Sequence, residues 1–280
     1  MPDPKLYIIA TPLGNREDIT LRALTELKRL RCFFAEDSRE FLKLLELYEI
    51  LGAGKKVHSY ASHNMKEATE AALRVLRSGE DVGLVTDRGT PCISDPGAWL
   101  VRCALDEGIG VTPIPGASSV TALLSVSGFS ADRFLFLGFL PTANGERDSL
   151  LTSLRGVEYS VCFFESPRRI RKTVHELQTL FPERRIFFGR EMTKHFESFH
   201  GAKLSTLDPE SLMEKGEYAV VLEGGQGQET KPHDLQQQLD AAIAERLAPD
   251  KSWAKSLVSQ LGLSASEIYN ALQQRKNSGK

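Results

Sequence analysis

The chain has 280 residues, 41% of them hydrophobic and 26% charged, with a formal net charge of −2 and an isoelectric point near 6.3. That length exceeds most single cores and points to two domains. The near-neutral charge argues against a protein that grips long nucleic acid by bulk charge, leaving room only for local basic patches. The sequence holds no run of about 18 apolar residues, so no membrane-spanning helix is expected. The opening MPDPKLYIIATPLG lacks a basic start and has an apolar run of only about five residues, so no leader is expected either. Cys32, Cys92, Cys103 and Cys162 form no C-x-x-C pair and are expected to be reduced, mostly buried thiols of a cytoplasmic protein.

In chain order, LYIIAT (6–11), CFFAED (32–37), KVHSY (56–60), VGLVTD (82–87) and GVTPIP (110–115) predict short strands. Segments of helical spacing separate them. The first, 19–30, puts Ala23, Leu24, Leu27 and Leu30 on one face. The next, 64–79, opens with the cap pair Asn64 and Glu67 and closes on Gly79. A third, 95–108, opens with Asp95 as cap before Pro96 and closes on Gly108. Strand–helix alternation predicts a mostly parallel sheet.

After about residue 130 the texture changes. Strands are predicted over 133–141, 159–166, 185–193, 197–204 and 217–224, with one clear helix over 166–180 capped at Ser166. This reads as a second α/β domain with more antiparallel pairing. GGQGQETKPHD (224–234) has linker composition, and 235–276 is helical, with a Ser264–Glu267 capping box inside a pattern like a helix-turn-helix. The expected division is 1–127 for an N-terminal α/β domain, 128–228 for a C-terminal one and 229–280 for the linker and helical tail.

Known nucleotide fingerprints are absent: there is no G-x-G-x-x-G after the first strand, no G-x-x-x-x-G-K-[ST] and no G-x-S-x-G. His58 and His63, like His195 and His200, are spaced five apart, which does not put two imidazoles on one helix face, so no metal site is expected. Three first-half strands instead end in Gly/Pro/Ser/Thr-rich loops: TPLGN, TDRGTPCISDPG and PIPGASS. Such loops are either efficient turns or ligand loops at the carboxyl ends of parallel strands. Glu36, Asp37 and Arg39 end another strand, as a base with its neighbours or as a solvated salt-bridge cluster. Glu165 with Arg168, Arg169 and Arg171, and Arg190 with Glu191 and Lys194, suit phosphate binding or plain surface charge.

Taken together and in order, LYIIATPLGNREDITLRAL, AEDSR, TDRGTPCISDPG, PIPGASS, DRFLFLGFLP, FFESPRRI, GREMTK and GEYAVVLEGG resemble the bacterial small-subunit ribosomal RNA (cytidine-2′-O)-methyltransferases, within the tetrapyrrole methylase superfamily. LVSQLGLSASEIYNAL resembles that family's C-terminal helical segment. The resemblance implies a class III methyltransferase fold, two α/β domains with a cleft between them and a small helical tail. It also implies a homodimer, S-adenosylmethionine as cofactor, and a cytidine ribose in the decoding region of 16S rRNA, free or in the assembled small subunit, as substrate. Carried onto matching positions, the cofactor contacts are Pro12, Leu13, Gly14, Asp87, Gly89, Thr90, Ile93, Gly116, Ser118, Ser119, Phe164 and Ala219. Asp37, Glu165 and Lys194 are the catalytic candidates at strand ends, and Arg39, Arg168, Arg169 and Arg190 the RNA-binding ones.

Several positions depart from the family pattern. Arg88 stands where a small residue is usual, and a long cation there can pair with Asp87, meet the cofactor carboxylate or block the site. PGASS replaces PGPSA, Phe164 and Arg168 replace a tyrosine and a histidine, and Thr142 and Ala143 replace a basic pair. SYASHN lacks a His-x-His pattern. Two alternatives therefore stand beside RNA methylation: a tetrapyrrole or other small-molecule methylase, and a non-catalytic RNA- or ribosome-binding homologue.

Overall fold

Five apolar segments of the first half form a parallel sheet: β1 (Lys5–Ile9), β2 (Cys32–Ala35), β3 (Lys56–Ser59), β4 (Val82–Val85) and β5 (Gly110–Ile114), in the order β3-β2-β4-β1-β5. β2 and β4 are buried at every position, which is why CFFA and VGLV read as unbroken apolar runs. Helices cover both faces. α1 (Leu21–Arg29) and α2 (Ser38–Leu47) bury Ala23, Leu27, Phe41 and Leu45 against one; α3 (Met65–Arg77) and α4 (Ala98–Asp106) bury Ala72, Leu76, Leu100 and Ala104 against the other. The computed structural model describes residues 3–225 apart from 51 and 53. The linker and helical tail expected over 229–280, with the last residues assigned to the second domain, lie outside the described residues.

The predicted helix starts are partly corrected. Thr20 caps α1, its hydroxyl accepting the Ala23 N–H at 3.1 Å. Gly79 and Gly108 follow α3 and α4 in the left-handed conformation, as helix stops do. Asn64 precedes α3 but makes no side-chain cap; its Oδ1 accepts the Ala61 N–H at 2.8 Å. Asp95 and Ser166 are not caps either. α4 begins after Gly97, and α7 (Ile170–Leu180) after Arg169, so each Xaa-Pro pair lies in the loop ahead of its helix.

The second sheet runs β6-β7-β10-β8-β9, built from β6 (Phe134–Phe139), β7 (Ser160–Glu165), β8 (Arg185–Arg190), β9 (Ser198–Lys203) and β10 (Tyr218–Leu222). Only the β6–β7 pair is parallel. Alternation along the strands supplies two cores. Val161, Phe163, Tyr218, Val220 and Leu222 pack with α7 and α6 (Asn144–Ser153) on one face. Cys162, Ala219 and Val221 pack on the other, against Val120, Leu123 and Leu124 of α5 (Ser119–Ser127). The expected division after residue 127 thus falls at the end of a helix whose apolar face lies on the second sheet. Among the described residues no helix is long and apolar enough to cross a membrane.

Candidate active site

β4, β1 and β5 are adjacent and parallel, so their carboxyl ends lie side by side. That brings the three glycine- and proline-rich loops together. Thr11 and Gly89 exchange backbone hydrogen bonds at 2.9 and 3.1 Å, and the Thr90 hydroxyl donates to the Ala117 carbonyl at 3.0 Å. Gly89 holds a φ of 77°, which glycine adopts freely. Cys92 and Ser94 hold φ values of 70° and 67°, a conformation that costs a non-glycine residue about 1–3 kcal/mol and persists only where the surroundings enforce it.

A cleft of about 350 Å³ opens between these loops and the cleft-facing side of the second sheet, a volume in the range of small-molecule sites. Of the twelve expected cofactor positions, eight line it: Leu13, Gly89, Thr90, Ile93, Ser118 and Ser119 from the loops, Phe164 and Ala219 from β7 and β10. The other four support the loops. Pro12 is buried in its turn. A side chain at Gly14 would start 2.4 Å from Lys194 Cγ, and one at Gly116 would start 2.8 Å from Ala10 Cβ, so both glycines permit close packing. Asp87 Oδ1 accepts the Asp37 N–H at 3.0 Å and ties the β4 loop to the β2 loop.

Asp95 is the residue that sequence reasoning misplaced. It lines the cleft with its carboxyl pushed up to about 6, first by burial and then by the charge of Glu36, while Thr86 acts in the opposite direction by hydrogen bonding. Glu36 itself accepts the Thr86 hydroxyl at 2.5 Å. Arg88, itself part of the lining, forms an ion pair with Glu217 of the facing sheet rather than with Asp87. Glu217 also takes Lys194 Nζ at 2.9 Å, and Lys194 bonds Glu191 at 3.0 Å. Burial alone would raise the Glu191 carboxyl, but Lys194 and the Glu217 N–H outweigh it and hold it below the usual range.

The catalytic and RNA-binding candidates separate sharply. Lys194 is outside the lining but bonds Glu217, which is part of it. Asp37 instead caps α2, accepting the Arg39 N–H at 2.8 Å and pairing with its guanidinium at 2.8 Å, which holds the carboxyl well below the ordinary range. Glu165 borders the cleft, yet its carboxylate is fully buried and committed to Arg169 at 2.6 Å, Arg147 at 3.3 Å and the Thr173 hydroxyl at 2.7 Å. Strand parity explains this: Phe164 faces the cleft, so Glu165 points under the helices. Arg169 also donates to the carbonyls of Leu140 and Pro141, and Arg190 to those of Lys215 and Phe196. Both are occupied by the fold. Arg39 and Arg168 are exposed, and Arg168 has no ion-pair partner among the described residues.

The family profile of tetrapyrrole (corrin/porphyrin) methylases matches residues 5–208. The crystal structure of the methyltransferase CobJ superposes with a TM-score of 0.60 at 16% identity, over 79% of this chain and 95% of that one, a likeness of fold. Among curated proteins, ribosomal RNA small subunit methyltransferase I of Mesorhizobium japonicum is 37% identical over 279 residues, 98% of this chain and 93% of its own length. The protein of that name from Thermotoga maritima is 40% identical over 222 residues, 79% of this chain and 98% of its own length. The chain belongs to the tetrapyrrole methylase family and, within it, to the ribosomal RNA small subunit methyltransferase I group.

Proposed function

We propose that this protein methylates the 2′-oxygen of a cytidine ribose in the decoding region of small-subunit ribosomal RNA, using S-adenosylmethionine. The observation that carries the proposal is the cleft in which three cross-linked loops of the first sheet face Phe164 and Ala219 of the second, in a chain of this family. Its lining suits the cofactor: apolar Leu13, Phe164 and Met192 for a planar base, the Ser118 and Ser119 hydroxyls for polar groups, and the Asp95 carboxylate for a cation. When bound, the cofactor supplies an electrophilic methyl group on a sulfonium whose leaving group is neutral.

The protein's own part is then positioning and exclusion of water, which together can remove about 7–11 kcal/mol of a barrier. A ribose hydroxyl is a very weak acid and gains from a nearby cation or base. We assign that part to Lys194, whose Nζ bonds Glu191 and the cleft-lining Glu217. The exposed Arg39 and Arg168 would take flanking phosphates, a salt-sensitive contribution. The setting is the cytoplasm, the working form a homodimer, and the substrate free or assembled small-subunit RNA.

The test has two stages. Calorimetric titration with S-adenosylmethionine should give micromolar binding. Labelled methyl transfer to small subunits lacking the modification should then yield 2′-O-methylcytidine after digestion to nucleosides. Absence of cofactor binding by folded protein would favour the non-catalytic homologue. Transfer to a tetrapyrrole but not to RNA would favour the small-molecule methylase.

A further inference from the structure

The segment FLFLGFLP contains a side-chain reversal that plain alternation does not predict. In a regular strand Phe139 would share a face with Leu135 and Leu137, which pack under α6 and α7. The register shows otherwise. Phe136 pairs with Cys162, but Phe139 pairs with Phe164, so β6 carries one extra residue. Gly138, at a φ of 64°, carries the bulge. The result is that Phe139 stands on the cleft face, its ring 5.4 Å from that of Phe164, which is in turn 5.1 Å from Phe136. A side chain at Gly138 would start 2.9 Å from Ser94 Oγ, so the bulge is fitted against the strained 92–94 loop.

Phe139 lines the cleft and is nevertheless 59% exposed, and Ile93 of the facing loop is 45% exposed at the same cavity. Two large apolar side chains are thus held in water at the mouth by a bulge on one side and left-handed residues on the other. The acceptor chemistry specifies what fits there. When a ribose 2′-oxygen reaches into the cleft, its base remains attached at the adjacent carbon and must lie at the mouth. A planar ring at that place is matched by an aromatic face, and a cation for an attached phosphate is close by in Arg168, exposed next to the lining residue Pro167.

We infer that Phe139 is the stacking platform for the base of the acceptor nucleotide, with Ile93 closing the opposite side. This rests on the RNA-methylation reading of the cleft. The test compares wild type with Phe139→Leu and Phe139→Trp, measuring S-adenosylmethionine affinity by calorimetry and methyl transfer to unmodified small subunits. Phe139→Leu should keep cofactor affinity within about twofold and lose roughly 5- to 150-fold in kcat/KM for the subunit, the span of one base–aromatic stack. Phe139→Trp should restore it. Equal kcat/KM in wild type and Phe139→Leu would overturn the stack and leave the reading intact. A parallel loss of cofactor affinity would also overturn it, by placing the ring on the cofactor instead. Wild-type protein that binds cofactor but methylates no small subunit would sink the substrate reading, and the stack with it.

Discussion

Replacing Arg88 with alanine tests whether this departure from the family pattern closes the cleft or only bridges its mouth. The guanidinium pairs with Glu217 while 47% exposed, against a partner 65% exposed. Two unit charges about 4 Å apart in water attract by about 1 kcal/mol, and holding two long side chains in one geometry consumes part of that, leaving about 0–1 kcal/mol. For a protein of this size such a loss lowers Tm by at most about 2–4 °C. Glu217 is not left alone, because Lys194 remains at 2.9 Å. Differential scanning calorimetry should therefore show a small shift that disappears at 1 M salt, where screening acts within about 3 Å. S-adenosylmethionine should bind both proteins, with Kd values within about fivefold, the equivalent of about 1 kcal/mol. If wild type failed to bind and Arg88→Ala bound, the side chain would be an occluding group and the reasoning from its pairing would be wrong.

Three further substitutions test the support around the cleft. Glu165→Gln removes a fully buried carboxylate from Arg169 at 2.6 Å and Arg147 at 3.3 Å; Arg147 keeps Glu176 at 2.8 Å, so the cost in urea unfolding should be about 1–3 kcal/mol, a structural loss rather than the loss of a base. Gly97→Ala demands a side chain at a φ of 139° and 2.7 Å from both Cys92 Sγ and Leu84 Cδ2, so Tm and cofactor affinity should fall together. Asp95→Asn has a pH signature. The folded carboxyl is pushed up from 3.8 to about 6, so folding takes up a proton between those values and wild-type stability declines as pH rises across them. The asparagine variant should melt higher than wild type at pH 8, by on the order of 2 kcal/mol in stability, and equally at pH 4. Its cofactor affinity should be weaker at pH 8, whereas wild-type affinity weakens only as pH falls through about 6.

The ten strands of the described residues were legible because their signal is strong and local. CFFA and VGLV are apolar throughout, and YAVVL alternates between two cores. Three helices were not. α2 begins inside the charged run EDSRE, α5 is apolar with little periodicity because it is pressed onto a sheet, and α6 is mostly polar, burying only Arg147 and Leu151. The loops of the site were legible for a backbone reason: sharp turns and close approaches demand glycine and proline whatever the ligand. Charged candidates were harder, because a strand end alone does not say which face a side chain takes. Glu165 is separated from the cleft by one step of parity, and Phe139 is returned to it by one extra residue. Asp95 resembled a helix cap because Asp-Pro is a frequent cap pair; only the position of Gly97 shows otherwise.

The chain leaves the first sheet at Ile114 and is already packed on the second at Val120. That short passage, anchored where Thr90 meets Ala117, ties the two sheets together along the chain. Elsewhere the two halves meet through noncovalent contacts, the Asn15 N–H on the Thr193 hydroxyl at 3.0 Å and Arg88 on Glu217. The walls of the cleft are therefore joined covalently where Ile114 runs on to Val120 and by exchangeable polar bonds at these other places.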